Sequence, residues 1–200
     1  GLVSSGKSIE TTLDAMPKIV SENKDVLFLI IGKTHPSVVK EEGEKYRDML
    51  QDKIDDLKIN DNVKFINNYV ALNQLLEYLQ LTDIYLFTSK DPNQAVSGTF
   101  SYALSSGCPI VSTPIPHAKE VLNCGAGVIF DFGNSSQLAT EVNRLLGDDN
   151  LRKNFSANAL HKISPTAWEN SAIGHAKLFE KVASNDLKLE YKIPEINLEH

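Results

Sequence analysis

A three-layer α/β/α sandwich built on a mainly parallel sheet is expected from three features of the 200-residue sequence. Strand and helix signals alternate along its first three quarters, the strand signals are continuous apolar runs, and after Leu146 only helical signals remain. Residues 26–31, Val-Leu-Phe-Leu-Ile-Ile closed by Gly32, are apolar at every position, as a strand buried on both faces requires. Residues 63–66, 84–88, 109–113 and 127–130 repeat that signal, and Gly1-Leu2-Val3 reads as a further short strand segment. Helical periodicity covers residues 8–21, 38–57, 72–79, 98–106 and 135–146. A parallel return needs a crossover, so strand followed by helix five or six times places helices on both faces of one sheet. Asn134 or Ser135 can cap the helix that follows, and Gly107 stops the helix before it. Two closing helices are expected at about 150–160 and 165–182, with Trp168 as an anchor of the last one, ahead of a polar tail over 183–200. Domain organisation is therefore one domain over 1–182 plus the tail, whose last residues Leu198, Glu199 and His200 are expected to be vector-derived.

Composition narrows the function. Apolar residues make up 42% of the chain and charged residues 23%, the balance of a globular domain able to bury a core without staples. Twenty basic against 26 acidic residues give a net charge of −6, which disfavours nucleic acid and anionic membranes as partners. No apolar run approaches the roughly 20 residues of a membrane span. Cys108 and Cys124 match no zinc or redox spacing and lie among apolar neighbours, so both are read as reduced core thiols, with a cytoplasmic location expected. No His, Cys, Asp or Glu spacing suggests a metal.

In an open parallel sheet, ligands bind beyond the carboxyl ends of the strands. The loops there are residues 4–8, 32–36, 89–99 and 114–117. Ser97-Gly98-Thr99 directly precedes a helix, where free backbone N–H groups and the positive end of the helix dipole bind phosphate. Gly98 lets an anion approach the backbone, and the hydroxyls of Ser97 and Thr99 can donate to it. The competing role is plain helix capping, for which Ser and Thr are favoured. Gly6-Lys7-Ser8 makes a formal match to G-x-x-x-x-G-K-[ST] through Gly1, but Gly32-Lys33-Thr34 stands where an acidic strand end would follow, so a nucleoside triphosphatase is set aside. Lys7 can still meet a diphosphate as a point charge. Lys33, Thr34 and His35 could touch a phosphate or base, although His35 could equally lead into a helix ahead of Pro36. His117 is read as either a ligand contact or a cap, and Lys90 and Asp91 as pocket flanks or ordinary surface charges.

Gly6-Lys7-Ser8-Ile9-Glu10, Leu29-Ile30-Ile31-Gly32, Asn62-Val63-Lys64-Phe65 and the most specific block, from Thr82-Asp83-Ile84-Tyr85-Leu86 to Cys108-Pro109-Ile110-Val111-Ser112-Thr113, follow one another in a recognisable order. That order resembles the carboxy-terminal domain of GT-B glycosyltransferases, and among them the retaining glycosyl transferase group 1 (family 4) enzymes, over about residues 1–182. The resemblance implies a Rossmann-like domain, the C-terminal half of a GT-B fold, that binds a nucleoside-diphosphate sugar of UDP or GDP type and uses no further cofactor or metal. An amino-terminal acceptor-binding domain of the same protein would be its partner across the cleft, and this domain alone would transfer nothing. The implied reaction is transfer of the sugar to an acceptor hydroxyl with retention.

Carried over residue by residue, the resemblance is uneven. Lys7 keeps the family's lysine place, but Leu2 stands where its Gly-Arg pair has the arginine. The family's two glutamates around the helix start fall on Gln94 and Tyr102, which can hydrogen-bond a sugar and a ribose without a carboxylate's charge. The expected donor-binding set is Lys7, Lys33, Thr34, His35, Gln94, Ser97, Gly98, Thr99 and Tyr102. The alternative is a catalytically inactive GT-B-like scaffold or interaction module.

Overall fold

The computed structural model describes residues 1–123 and 125–184, in two compact units, Gly1–Ile163 and a second beginning at Ser164. Cys124 and nearly all of the expected tail lie outside the described residues.

The first unit runs α1 (Ile9–Glu22), β1 (Phe28–Ile31), α2 (Pro36–Glu42), α3 (Lys45–Asp56), β2 (Val63–Ile66), α4 (Leu72–Gln80), β3 (Tyr85–Phe87), α5 (Gly98–Ser105), β4 (Ile110–Ser112), α6 (Pro116–Val121), β5 (Gly127–Ile129), α7 (Ser135–Leu146) and α8 (Asp149–Ile163). Every strand pairing is parallel, as the alternation of signals requires. β1 pairs with β2 from Phe28↔Val63 to Ile31↔Ile66. β4 lies between β3 and β5, with Tyr85↔Ile110 and Ile110↔Gly127 in register. The strands form two sheets, β1-β2 and β3-β4-β5, rather than one, and the first segment contributes a single bridge, Val3↔Thr34.

Two further expectations are corrected. The helix expected over 38–57 is two helices, because Gly43 adopts φ +68° and breaks the run between α2 and α3. Helix α6 lies in what reads as a loop; Pro116 at its start pre-sets a helical φ and needs no hydrogen-bond acceptor there.

Strand periodicity explains the layers. Side chains alternate across a strand, so Val111 joins one core while Ile110 joins the other, and Phe87 and Leu86 divide in the same way. On one face Leu13, Met16 and Ile19 of α1 pack with Leu50 and Ile54 of α3 and Leu138 and Leu145 of α7. On the other, Leu79 of α4, Phe100 and Leu104 of α5, Ala118 of α6 and Ala159 of α8 enclose Cys108. Asn134 caps α7 by accepting from the Gln137 N–H at 3.0 Å, and Gly107 turns the chain after α5 at φ +72°.

In the second unit a 3-10 turn, Ser164–Thr166, leads into α9 (Trp168–Ala183). The Ser171 N–H donates to the Ala167 carbonyl at 2.9 Å, and Asn170 Nδ2 reaches back to the Ser164 carbonyl at 2.8 Å. Trp168, expected as an anchor, is instead 89% exposed.

Candidate functional site

The first turn of α5 is built by its own sequence. Ser97 is its buried N-cap, with extended backbone, and its Oγ accepts from the Phe100 N–H at 3.5 Å while its carbonyl accepts from the Ser101 N–H at 3.0 Å. The capping role is therefore real, yet it leaves the N–H groups of Gly98 and Thr99 without an acceptor inside the helix. The Ser97 and Thr99 hydroxyls lie 3.2 Å apart, and Thr99 also hydrogen-bonds the Tyr85 phenol. Burial pushes that phenol above its ordinary 10, with the Thr99 bond acting in the opposite direction. A Cβ at Gly98 would meet nothing within 4 Å, so the backbone is open on that side. Phe100, fully buried one residue after Thr99, anchors the turn edge-on against Phe87, with ring centres 5.5 Å apart.

A cation stands beside this turn. The loop before α1 makes a 3-10 turn over Ser5–Lys7 and closes with Ser8 at φ +49°. Thr88 Oγ1 donates to the Lys7 carbonyl at 2.6 Å and the Lys90 N–H to the Gly6 carbonyl at 3.2 Å, tying the loop to the end of β3. Lys7 Nζ sits 5.6 Å from the Phe87 ring centre, and burial pulls its pKa down from 10.5. Among the described residues it has no carboxylate partner. Lys7, Ser89 and Thr99 border one end of a cavity of about 810 Å³ at the carboxyl end of β3. Charge and geometry there suit an anion with several oxygens: one ammonium, two helix-end amides and two hydroxyls.

The loop after β1 does not join them. Gly32 is held at φ +138°, where an added Cβ would lie 1.7 Å from the Gly1 carbonyl oxygen. Thr34 is buried and spent on Glu44 and on Arg47, whose Nε lies 3.3 Å from its hydroxyl. His35 caps α2, its Nδ1 accepting from the Ser37 N–H at 3.2 Å. Lys33 lines a separate cavity of about 370 Å³ with Asn68, Tyr69 and Gln74. Gln94 is half-buried, with Nε2 3.5 Å from the Val96 carbonyl, and Tyr102 stands one turn into α5, half-exposed; neither borders the larger cavity. Asp91 shapes its own loop by accepting from the Asn93 N–H at 2.9 Å, and Lys90 is exposed.

His117, in the first turn of α6, stacks at 4.8 Å on Phe100, so it supports the α5 turn from behind. Its Nδ1 is buried without a partner, and burial holds the imidazole below its ordinary 6.5 against the opposing pull of Glu120. Sequence reasoning missed Arg47, which lies over the Phe65 ring at 5.1 Å, donates to the Gly32 carbonyl at 2.9 Å and so fixes that loop. It also missed the Tyr85 and Thr88 contacts, which no spacing announces. Cys108 is a buried free thiol donating to the Leu79 carbonyl at 2.9 Å, pushed up to about 11 by burial. Among the described residues no three His, Cys, Asp or Glu converge as metal ligands, and no helix is long and apolar enough to cross a membrane.

Comparison with known proteins agrees with this architecture. No protein with a curated description matches the chain. The carboxy-terminal domain of a glycosyl transferase group 1 family protein, LpcC, from Francisella tularensis superposes with a TM-score of 0.71 at 18% identity over 82% of this chain and 81% of that one. HepE from Anabaena, determined with UDP and glucose, gives 0.74 at 20% identity over 92% of this chain and 46% of its own. A glycosyltransferase from Rickettsia africae gives 0.74 at 17%, over 92% and 47%. The chain thus spans less than half the length of the last two, and its fold is that of a GT-B carboxy-terminal half. Residues 2–162 match the sequence profile of the glycosyl transferases group 1, which takes in both the α5 turn and the Lys7 loop, and the chain belongs to that family.

Proposed function

We propose that this domain binds a nucleoside-diphosphate sugar, of UDP or GDP type, and presents it for retaining transfer to an acceptor hydroxyl held by the amino-terminal half of a longer enzyme. One observation carries the proposal: Thr99, in the first turn of α5 where the Gly98 and Thr99 amides have no acceptor inside the helix, borders the same cavity as Lys7, a partly buried cation with no carboxylate beside it among the described residues. As the bond to the sugar breaks, negative charge grows on the diphosphate, and donors already aimed at it stabilise that charge without reorganising. Gln94 and Tyr102 contact the sugar and nucleoside, and no metal takes part. HepE, with the same fold, binds UDP, which supports a uridine donor first. The replacement of two family glutamates by Gln94 and Tyr102 favours a second possibility, a scaffold that retains the fold without transfer.

Thermal shift and calorimetry with UDP, GDP, ADP and their sugar conjugates test the proposal. A ligand at about 100 times its dissociation constant contributes roughly 2.7 kcal/mol, raising the midpoint by about 5–11 °C in a domain of this size. A folded Lys7→Ala, Thr99→Val double variant is expected to lose that shift; one that binds the nucleotide as well as the parent does overturns the assignment. Transfer assays on the longer enzyme separate transferase from scaffold.

A further inference from the structure

The first turn of α5 is not held by its cap alone. The Ser97 hydroxyl meets the Phe100 N–H at 3.5 Å, the far limit of a hydrogen bond. What fixes the turn is Phe100, which is 0% exposed and touches two rings from two other elements. Phe87 of β3 stands edge-on to it, with centroids 5.5 Å apart and planes at 90°, and His117 of α6 lies against it at 4.8 Å and 43°.

The same train of rings reaches the cation. Lys7 Nζ lies 5.6 Å from the Phe87 ring centre, and Thr88 ties the Lys7 carbonyl to the end of β3 at 2.6 Å. Phe87 therefore bears on both halves of the anion site, through Phe100 on the α5 amides and directly on Lys7. His117 is the far end of that train. It does not border the cavity, and its contact with the site runs through Phe100.

The surroundings of His117 favour the neutral ring. Its Nδ1 is buried with no hydrogen-bond partner among the described residues. A neutral imidazole protonated on Nε2 places only a lone pair there, whereas an imidazolium places a charged N–H where no acceptor stands, a far larger cost. Burial lowers the His117 pKa from 6.5, and Glu120, on the same helix, pulls the other way. From α5 the ring meets Phe100, and the titratable side chain of that helix is Tyr102. Tyr85 and Cys108, which pack in the same core, are kept neutral by burial, and α4 and α8 add the apolar Leu79 and Ala159.

We infer that His117 is a positioning residue for the phosphate end of the donor site: its neutral ring clamps Phe100, holds the α5 turn in place beside Lys7, and lets go when a second proton arrives. The inference rests on the reading that the α5 turn and Lys7 hold the diphosphate. A charged ring must reach water or the Glu120 carboxylate, and neither lies where contact with Phe100 keeps Nδ1. The turn, left with a 3.5 Å cap, then loses the aim of its Gly98 and Thr99 amides. Because the clamped form excludes the proton, nucleotide binding and protonation of His117 oppose each other. Affinity is full above 6.5 and falls as the pH drops below it.

Calorimetric titration with UDP-glucose tests this, because both of its phosphates stay ionised from about pH 7.5 to about pH 5, the range in which an imidazole titrates. At the upper pH, His117→Ala is expected to weaken binding roughly 2- to 13-fold, the equivalent of one aromatic pair, and His117→Phe to recover most of that loss. As the pH is lowered, parent affinity falls relative to that of His117→Phe. The amide resonances of Gly98 and Thr99, followed without nucleotide, move with the His117 imidazole in the parent and lose that movement in His117→Phe. A parent-to-variant ratio that is constant with pH or rises toward acid, or Gly98 and Thr99 resonances that ignore the titration of His117, overturns the inference. A parent that does not bind UDP-glucose speaks against the uridine donor alone, and the resonances still decide the clamp, so the two failures are told apart.

Discussion

Replacing Gly98 by alanine separates ligand binding from helix capping, because the two effects have opposite signs. A Cβ at Gly98 meets no atom within 4 Å, and the residue does not occupy the left-handed region, so the native backbone accepts the methyl group without strain. Alanine also restricts the unfolded chain more than glycine does, which stabilises a compatible site by about 0.4–1 kcal/mol and raises the midpoint by about 1–4 °C in a domain this size. The same methyl group occupies the space through which an anion reaches the Gly98 and Thr99 amides. A hydrogen bond to a charged group contributes about 1.5–3 kcal/mol, so losing one weakens nucleotide affinity roughly 10- to 150-fold. Differential scanning fluorimetry without ligand reads the first effect and calorimetric titration with UDP reads the second. A Gly98→Ala protein that is stabilised yet binds UDP like the parent would refute a phosphate seated on α5.

Three further outcomes are expected. Gly32→Ala must displace the Gly1 carbonyl and strain a φ of +138°, costing at least about 2 kcal/mol by urea denaturation. The Cys108 thiol, raised from 9.0 to about 11, stays protonated in the fold, so an alkylating reagent at about pH 8.5 should modify it only through unfolding. Its contribution to stability is complete below about 9 and is lost as pH rises toward about 11, a decline that Cys108→Ala should remove. His117 has the reverse sign: its depressed pKa favours the neutral imidazole, so stability is full above 6.5 and falls as the pH drops below it. Melting midpoints at about pH 7.5 and about pH 5.5 should differ less in His117→Asn than in the parent.

Much of the fold was legible because its signals are local. Continuous apolar runs such as 26–31 announce strands buried on both faces, and the spacing of Leu13, Met16 and Ile19 announces one buried helix face. Ser97-Gly98-Thr99 announces a helix start, since capping chemistry acts over three or four residues. The break at Gly43 was missed because helical periodicity continues across it, and α6 because its run of six residues is too short to carry a period.

The sequence by itself determined the class of fold, the parallel strands and the family resemblance, and it singled out Lys7 and Thr99, which border one cavity. Only the tertiary structure decided which neighbouring candidates share it. Lys33, Thr34 and His35 have suitable chemistry, but Glu44 and Arg47 claim Thr34, Ser37 claims His35, and Lys33 lines another cavity. The folded positions of those partners, two residues from His35 and ten and thirteen from Thr34, set those directions, and residue type alone does not say which partner a polar group takes. The division of the strands into two sheets was equally out of reach, because an edge is defined by what lies beside it in space.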